Sequence, residues 1–125
     1  MEEKFLLCEK CGNLVMPVYE SGVPIYCCNE PMKELIPNTT EAAFEKHIPI
    51  YNINNNTINI KVSDVTHPMT EEHFIKWIII KTTKGYYKKE LAFNDSPEAS
   101  FLLKDGEKFI SAYAYCNLHG LWKSK

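Results

Sequence analysis

The chain has 125 residues, 45% of them apolar and 24% charged, which limits it to one compact core with a small appendage and excludes a disordered chain. Fourteen basic against sixteen acidic residues leave a formal charge of −2, so there is no electrostatic footprint for a nucleic-acid partner. The most apolar run, Trp77-Ile78-Ile79-Ile80, is far too short for a membrane span, and the N-terminal MEEKFLLCEKC is acidic where a signal peptide is basic. A soluble cytoplasmic protein is expected. The Asn-x-Ser/Thr matches beginning at Asn38, Asn55 and Asn94 would then carry no glycan.

Residues 1–36 hold four of the five cysteines and no histidine. A unit of that length cannot bury enough apolar surface alone, and below about 40 residues a metal or disulfides normally supply the missing stability. Phe5-Leu6-Leu7 and Leu14-Val15-Met16 flank the turn signal Cys11-Gly12-Asn13, and Ser21-Gly22 precedes Ile25-Tyr26-Cys27-Cys28, which reads as a few short strands pinned by something other than packing. Residues 37–48 form the expected linker or lid. Pro37 and Pro49 bound it, and Thr39 or Thr40 could cap one helical turn over Glu41 to Phe44. From residue 50 the signal is β. Residues 57–63 alternate with period two, 73–82 are rich in β-branched and aromatic residues, and 86–93 and 108–116 read as further strands. Strands at short spacing with no helical pattern between them favour an antiparallel sandwich, so the fold class is all-β, a metal-stapled N-terminal unit followed by a β-sandwich.

Cys8-x-x-Cys11 is an ordinary metal knuckle, and fifteen residues separate it from Cys27-Cys28. A zinc ribbon would place two residues inside the second pair. Adjacent residues on a strand face opposite ways, so Cys27 and Cys28 can share one ion only if the chain leaves strand geometry between them. Soft thiolates suit zinc and iron alike, and a redox-active Cys-x-x-Cys with bystander cysteines is the other reading.

Outside this cluster lie five donors: His47, His67, His73, His119 and Cys116. His67-Pro68 fixes an extended conformation at His67. His73 opens the apolar strand, where it is expected to point inward with Ile75 and Trp77. Cys116-Asn117-Leu118-His119-Gly120 is a second two-residue knuckle with one sulfur and one nitrogen. Zinc takes four protein ligands in structural sites and three in catalytic ones. Five converging donors would overfill it and leave one octahedral position, which suits a redox transition metal.

These residues carry a resemblance. Cys8-x-x-Cys11 with Cys27-Cys28, Glu45-Lys46-His47-Ile48-Pro49, His67-Pro68-Met69-Thr70-Glu71-Glu72-His73 and Cys116-Asn117-Leu118-His119-Gly120-Leu121-Trp122 resemble, in order and spacing, desulfoferrodoxin, the two-iron class of superoxide reductase. The resemblance implies a desulforedoxin-like domain over residues 1–36 with a rubredoxin-like iron on Cys8, Cys11, Cys27 and Cys28. It implies an immunoglobulin-like sandwich over 49–125 with a ferrous ion on His47, His67, His73 and His119 in a plane and Cys116 axial. Superoxide would be reduced to hydrogen peroxide without release of dioxygen, with Lys46 attracting the anion and Glu45 displacing product after oxidation. A reduced electron-donor protein such as rubredoxin and a second copy of the chain in a homodimer are the implied partners. Ile48 and Phe74 stand where many relatives have Val and Tyr, which are mild changes. The competing readings are a dismutase, a zinc-ribbon interaction module fused to a sandwich with structural histidines, and an electron carrier using the first centre alone.

Overall fold

The computed structural model describes residues 3–40, 46–63 and 65–125. The proposed helical turn over Glu41 to Phe44 and the residue Glu45 lie outside them. The chain divides into two compact units, Met1–Ile36 and Pro37–Lys125, and among the described residues there is no α-helix.

In the first unit β1 (Leu6–Leu7) pairs antiparallel with β2 (Leu14–Val15) and β5 (Lys33–Glu34), and β3 (Tyr26–Cys27) pairs with β4 (Glu30–Pro31). The turn between β1 and β2 is where the sequence placed it. Gly12 takes φ +84°, which a residue with a Cβ adopts only with strain. Two-residue strands are too short to hold a sheet on ladder bonds alone. Phe5 and Cys8 are the buried apolar residues here, while Val18, Tyr19 and Val23 are 98%, 80% and 74% exposed.

The second unit is a two-layer antiparallel sandwich. One sheet has the order β10 (Glu98–Leu102), β7 (Thr57–Val62), β6 (Pro49–Asn54). The other has the order β12 (Gly120–Lys123), β11 (Phe109–Cys116), β8 (Ile75–Thr82), β9 (Gly85–Glu90). The alternation in β7 sends Ile58, Ile60 and Val62 inward, opposite Phe101 and Ala99 of β10, to meet Ile78 and Ile80 of β8 and Ala112 and Ala114 of β11. Each buried Ile contributes roughly 1.5–3 kcal/mol by its area.

β8 does not keep one parity. Cys116 pairs with Ile75 and Tyr115 with Trp77, so Lys76 is an extra residue in the ladder. Such a bulge flips every side chain beyond it. Ile75 is fully buried beside Cys116, but Trp77 turns to the other face and stacks on Tyr115 at 5.8 Å and 11°. The inward face expected for Trp77 is therefore corrected. The strand also begins at Ile75, not at residue 73. The reason is a tight turn in which the Thr70 N–H donates to the His73 carbonyl at 2.9 Å and the His73 N–H returns to Thr70 O at 3.2 Å.

At the far end of β8 and β11, Glu107 is buried and acts as a hub. Its carboxylate accepts from the Thr82 hydroxyl, from Tyr87 Oη at 2.9 Å and from the Lys104 N–H at 3.0 Å. The Thr82 bond is the largest cause of a carboxyl pKa below the usual value. This closes the end of the sandwich away from Cys116.

Candidate metal centres

The first cluster is built by two turns. In one, the Gly12 N–H donates to Cys8 O at 2.9 Å and the Cys8 N–H to Asn13 O at 2.8 Å, which leaves the Cys11 N–H facing Cys8 Sγ at 3.5 Å. In the other, β3 ends at Cys27, and Cys28 and Asn29 take φ +52° and +64°. That is the departure from strand geometry the adjacent cysteines required. All four Sγ atoms lie within 4.8 Å of one another, with Cys11 Sγ and Cys27 Sγ 3.6 Å apart. Two sulfurs on one tetrahedral ion with bonds of about 2.3 Å lie about 3.8 Å apart, so the cage has the right size. The Asn13 amide also donates to Cys27 Sγ at 3.5 Å.

The charge pattern agrees with the distances. The Cys11 N–H holds the Cys8 thiol down at about 6, whereas the neighbouring Cys11, Cys8 and Cys27 sulfurs push Cys28 up to about 12. Four thiolates cannot ionise together at this spacing unless a cation neutralises them, and metal binding releases those protons.

The second cluster draws on four separate stretches of the sandwich unit. The rings of His47, His67, His73 and His119 close a circuit with centroid distances of 4.7, 4.7, 5.0 and 4.9 Å, each ring steeply inclined to its neighbours, and His47 faces His73 across it at 6.4 Å. Cys116 is fully buried at the end of β11. Donor atoms of His47, His67, His73 and Cys116 lie within 4.8 Å of one another. His119 Nδ1 is 3.1 Å from His47 Nε2 and 4.0 Å from Cys116 Sγ.

Tautomers follow from the partners. His67 Nδ1 lies 2.6 Å from Pro68 O, and a carbonyl only accepts, so the proton is on Nδ1 and the Nε2 lone pair is free. Burial pushes the His67 pKa down to about 4 against the pull of that carbonyl, and burial lowers His73 too, followed by the charges of His119 and Lys46. Both are therefore neutral imidazoles, the form that binds metal. His67 Nε2 and His73 Nε2 are buried with no hydrogen-bond partner. An orphaned buried polar atom costs about 1–3 kcal/mol, and a cation on the lone pairs removes that cost. Burial also raises the Cys116 thiol, while the N–H groups of His119 and Leu118 act the other way. Unprotonated imidazoles with unpartnered lone pairs beside a buried thiol make a borderline-soft donor set, so these residues fit a transition-metal ion.

Comparison with known proteins agrees with the cage. Residues 39–125 match the desulfoferrodoxin family. The desulfoferrodoxin of Syntrophotalea carbinolica is 43% identical over 94% of this chain and 92% of its own length. The chain belongs to the desulfoferrodoxin family. The superoxide reductase of Treponema pallidum has a solved structure that superposes with a TM-score of 0.84 at 37% identity over the whole of both chains. The superoxide reductase (1Fe-SOR) of Giardia intestinalis matches 64% of this chain and 95% of its own, at 35% identity and a TM-score of 0.54.

Within this desulfoferrodoxin-family fold, every cysteine and histidine of the sequence joins one of the two clusters. Lys46 is exposed and near enough to His73 for its charge to be felt there.

Sequence reasoning missed the residues that brace the cage. Trp122 is fully buried, stacks on His47 at 4.7 Å and 20°, and donates Nε1–H to His119 O at 3.1 Å. The Asn38 side chain accepts from the Lys123 N–H at 2.8 Å and donates to Lys123 O at 3.1 Å, and the Asn38 main-chain N–H donates to Leu121 O at 3.0 Å, which pins the start of the connector to β12. Gly120 has φ +82°, and a Cβ there would stand 3.2 Å from Thr40 Oγ1. Asn117 bridges to the segment around His73.

Proposed function

We propose that this chain reduces superoxide to hydrogen peroxide at iron held by His47, His67, His73, His119 and Cys116, and that Cys8, Cys11, Cys27 and Cys28 hold a second iron able to relay electrons. The observation that carries this reading is the convergence of four imidazoles and one buried thiol, with two lone pairs left unpartnered. Iron held by these five residues would supply a one-electron couple to the substrate. The balance is one superoxide, one electron and two protons giving one hydrogen peroxide, with no dioxygen formed.

The chain's own residues do the rest. The Pro68 carbonyl fixes the His67 tautomer, as outer partners of ligating histidines generally do. The Leu118 and His119 N–H groups favour the thiolate of Cys116, whose electron density would support a bound redox metal. Exposed Lys46 offers a positive charge to an anionic substrate that a protein of net charge −2 would otherwise repel. Glu45 is proposed to displace product. Lys46→Ala is expected to slow the second-order reaction with superoxide about tenfold and to flatten its dependence on salt. Pulse-radiolysis rates at two ionic strengths check this, and an unchanged rate removes Lys46 from the mechanism.

A reduced rubredoxin-like donor and a homodimer complete the proposal. The exposed Val18, Tyr19 and Val23 of a unit too small for its own core support packing against a second copy. The function is tested on anaerobically purified protein of known metal content, given superoxide and a reductant. Two irons per chain and peroxide without dioxygen are expected. Dioxygen evolution without reductant would make the chain a dismutase, and a colourless protein holding only zinc would favour the interaction-module reading.

A further inference from the structure

We infer that Asn117 is the positioning residue for His73, its side-chain amide holding the backbone on both sides of that histidine and so setting how far His73 stands from Cys116. Asn117 Oδ1 accepts from the Phe74 N–H at 2.9 Å, and Asn117 Nδ2–H donates to Glu72 O at 2.9 Å. Its own N–H donates to Phe74 O at 3.2 Å. Three hydrogen bonds thus tie the residue after Cys116 to the residues immediately before and after His73.

The need for this device follows from the sheet. Regular pairing of β8 with β11 ends at Ile75 opposite Cys116, beyond the bulge at Lys76. The Thr70–His73 turn that precedes β8 is closed by hydrogen bonds between its own two end residues, which do not fix it to β11. The Asn117 main chain adds one further ladder bond, and its side chain then takes the place of the strand that has run out. The other ligands have different holds. His67 has the Pro68 carbonyl, His47 has the Trp122 ring, and His119 has the Trp122 indole N–H on its carbonyl. An amide of this length is required, because both a donor and an acceptor must lie one methylene from the Cα. Aspartate keeps the acceptor for Phe74 but sets a carboxylate oxygen against the Glu72 carbonyl.

The inference rests on the second cluster being an iron site. Iron release from each centre to a strong chelator, followed by absorption, separates the two ideas. Losing an outer partner of a metal ligand typically costs 10–100-fold in metal affinity. Asn117→Ala is therefore expected to speed release from the second centre by about that factor while the Cys8, Cys11, Cys27 and Cys28 centre keeps its rate. Asn117→Asp, nearly the same size, is expected to fall between, and it answers the question if the alanine variant fails to fold. In zinc-loaded protein the Phe74 amide should lose protection from hydrogen exchange in Asn117→Ala. Release within twofold of the native rate in both variants, equal acceleration at both centres, or an unchanged Phe74 amide would each overturn the role of Asn117. A native protein that takes up no iron at the second cluster would instead overturn the functional reading beneath it.

Discussion

Cys116→Ser is expected to abolish the thiolate-to-iron absorption band of the second centre and to lower superoxide reduction by more than about 100-fold, beyond what loss of an outer partner costs. Cys116 is the thiol placed among the four imidazoles, fully buried at the last position of β11 and paired across the sheet with Ile75. Burial alone raises its pKa, and the two N–H groups of the knuckle offset that only in part. The thiolate is reached when a cation binds. A serine hydroxyl at the same position is a harder donor that stays protonated far above neutrality, so the electron density sulfur gives to an oxidised metal is lost. The four-cysteine centre should keep its own sulfur bands in the same sample, which shows that the chain is folded and loaded. A surviving second-centre band would remove Cys116 from the ligand set.

The donors were legible because ligand chemistry is written in residue type and spacing. The doublet Cys27-Cys28 also announced its own geometry, since strand parity forbids two neighbours from facing one ion, and the chain answers with φ +52° at Cys28. Strands β7, β8, β9 and β11 were legible through alternation and β-branched content. β10 was not read, although Glu98–Leu102 alternates exposed and buried, because five residues after Pro97 give little pattern. β12 was hidden because Gly120–Lys123 continues the cysteine–histidine knuckle. The bulge at Lys76 leaves no mark in a run of isoleucines, so strand alternation alone puts Trp77 on the wrong face. The braces were illegible for a different reason. Asn38, Asn117 and Trp122 work through bonds or stacking to groups mostly more than forty residues away, and no local spacing encodes such a contact.

Trp122→Ala has the largest expected effect on stability. The ring is fully buried, and truncating such a side chain costs about 3–5 kcal/mol through lost transfer energy and the cavity left behind. Its effect on the second centre is separate, because the same ring is stacked on His47 while its N–H holds the His119 carbonyl. Two histidines that come from opposite ends of the sandwich unit thus share one brace, and removing it takes a hold from each. Trp122→Phe splits the two functions. It keeps an aromatic face for His47 and loses the bond to His119, worth about 1 kcal/mol. Denaturant unfolding at matched metal content, read with the iron stoichiometry of the second centre, distinguishes them. The alanine variant should lose both stability and second-centre iron, and the phenylalanine variant should keep most of each. If the alanine variant unfolds within about 1 kcal/mol of the native protein with full iron, Trp122 is a passenger in the core, and His47 must be held by contacts other than the stack.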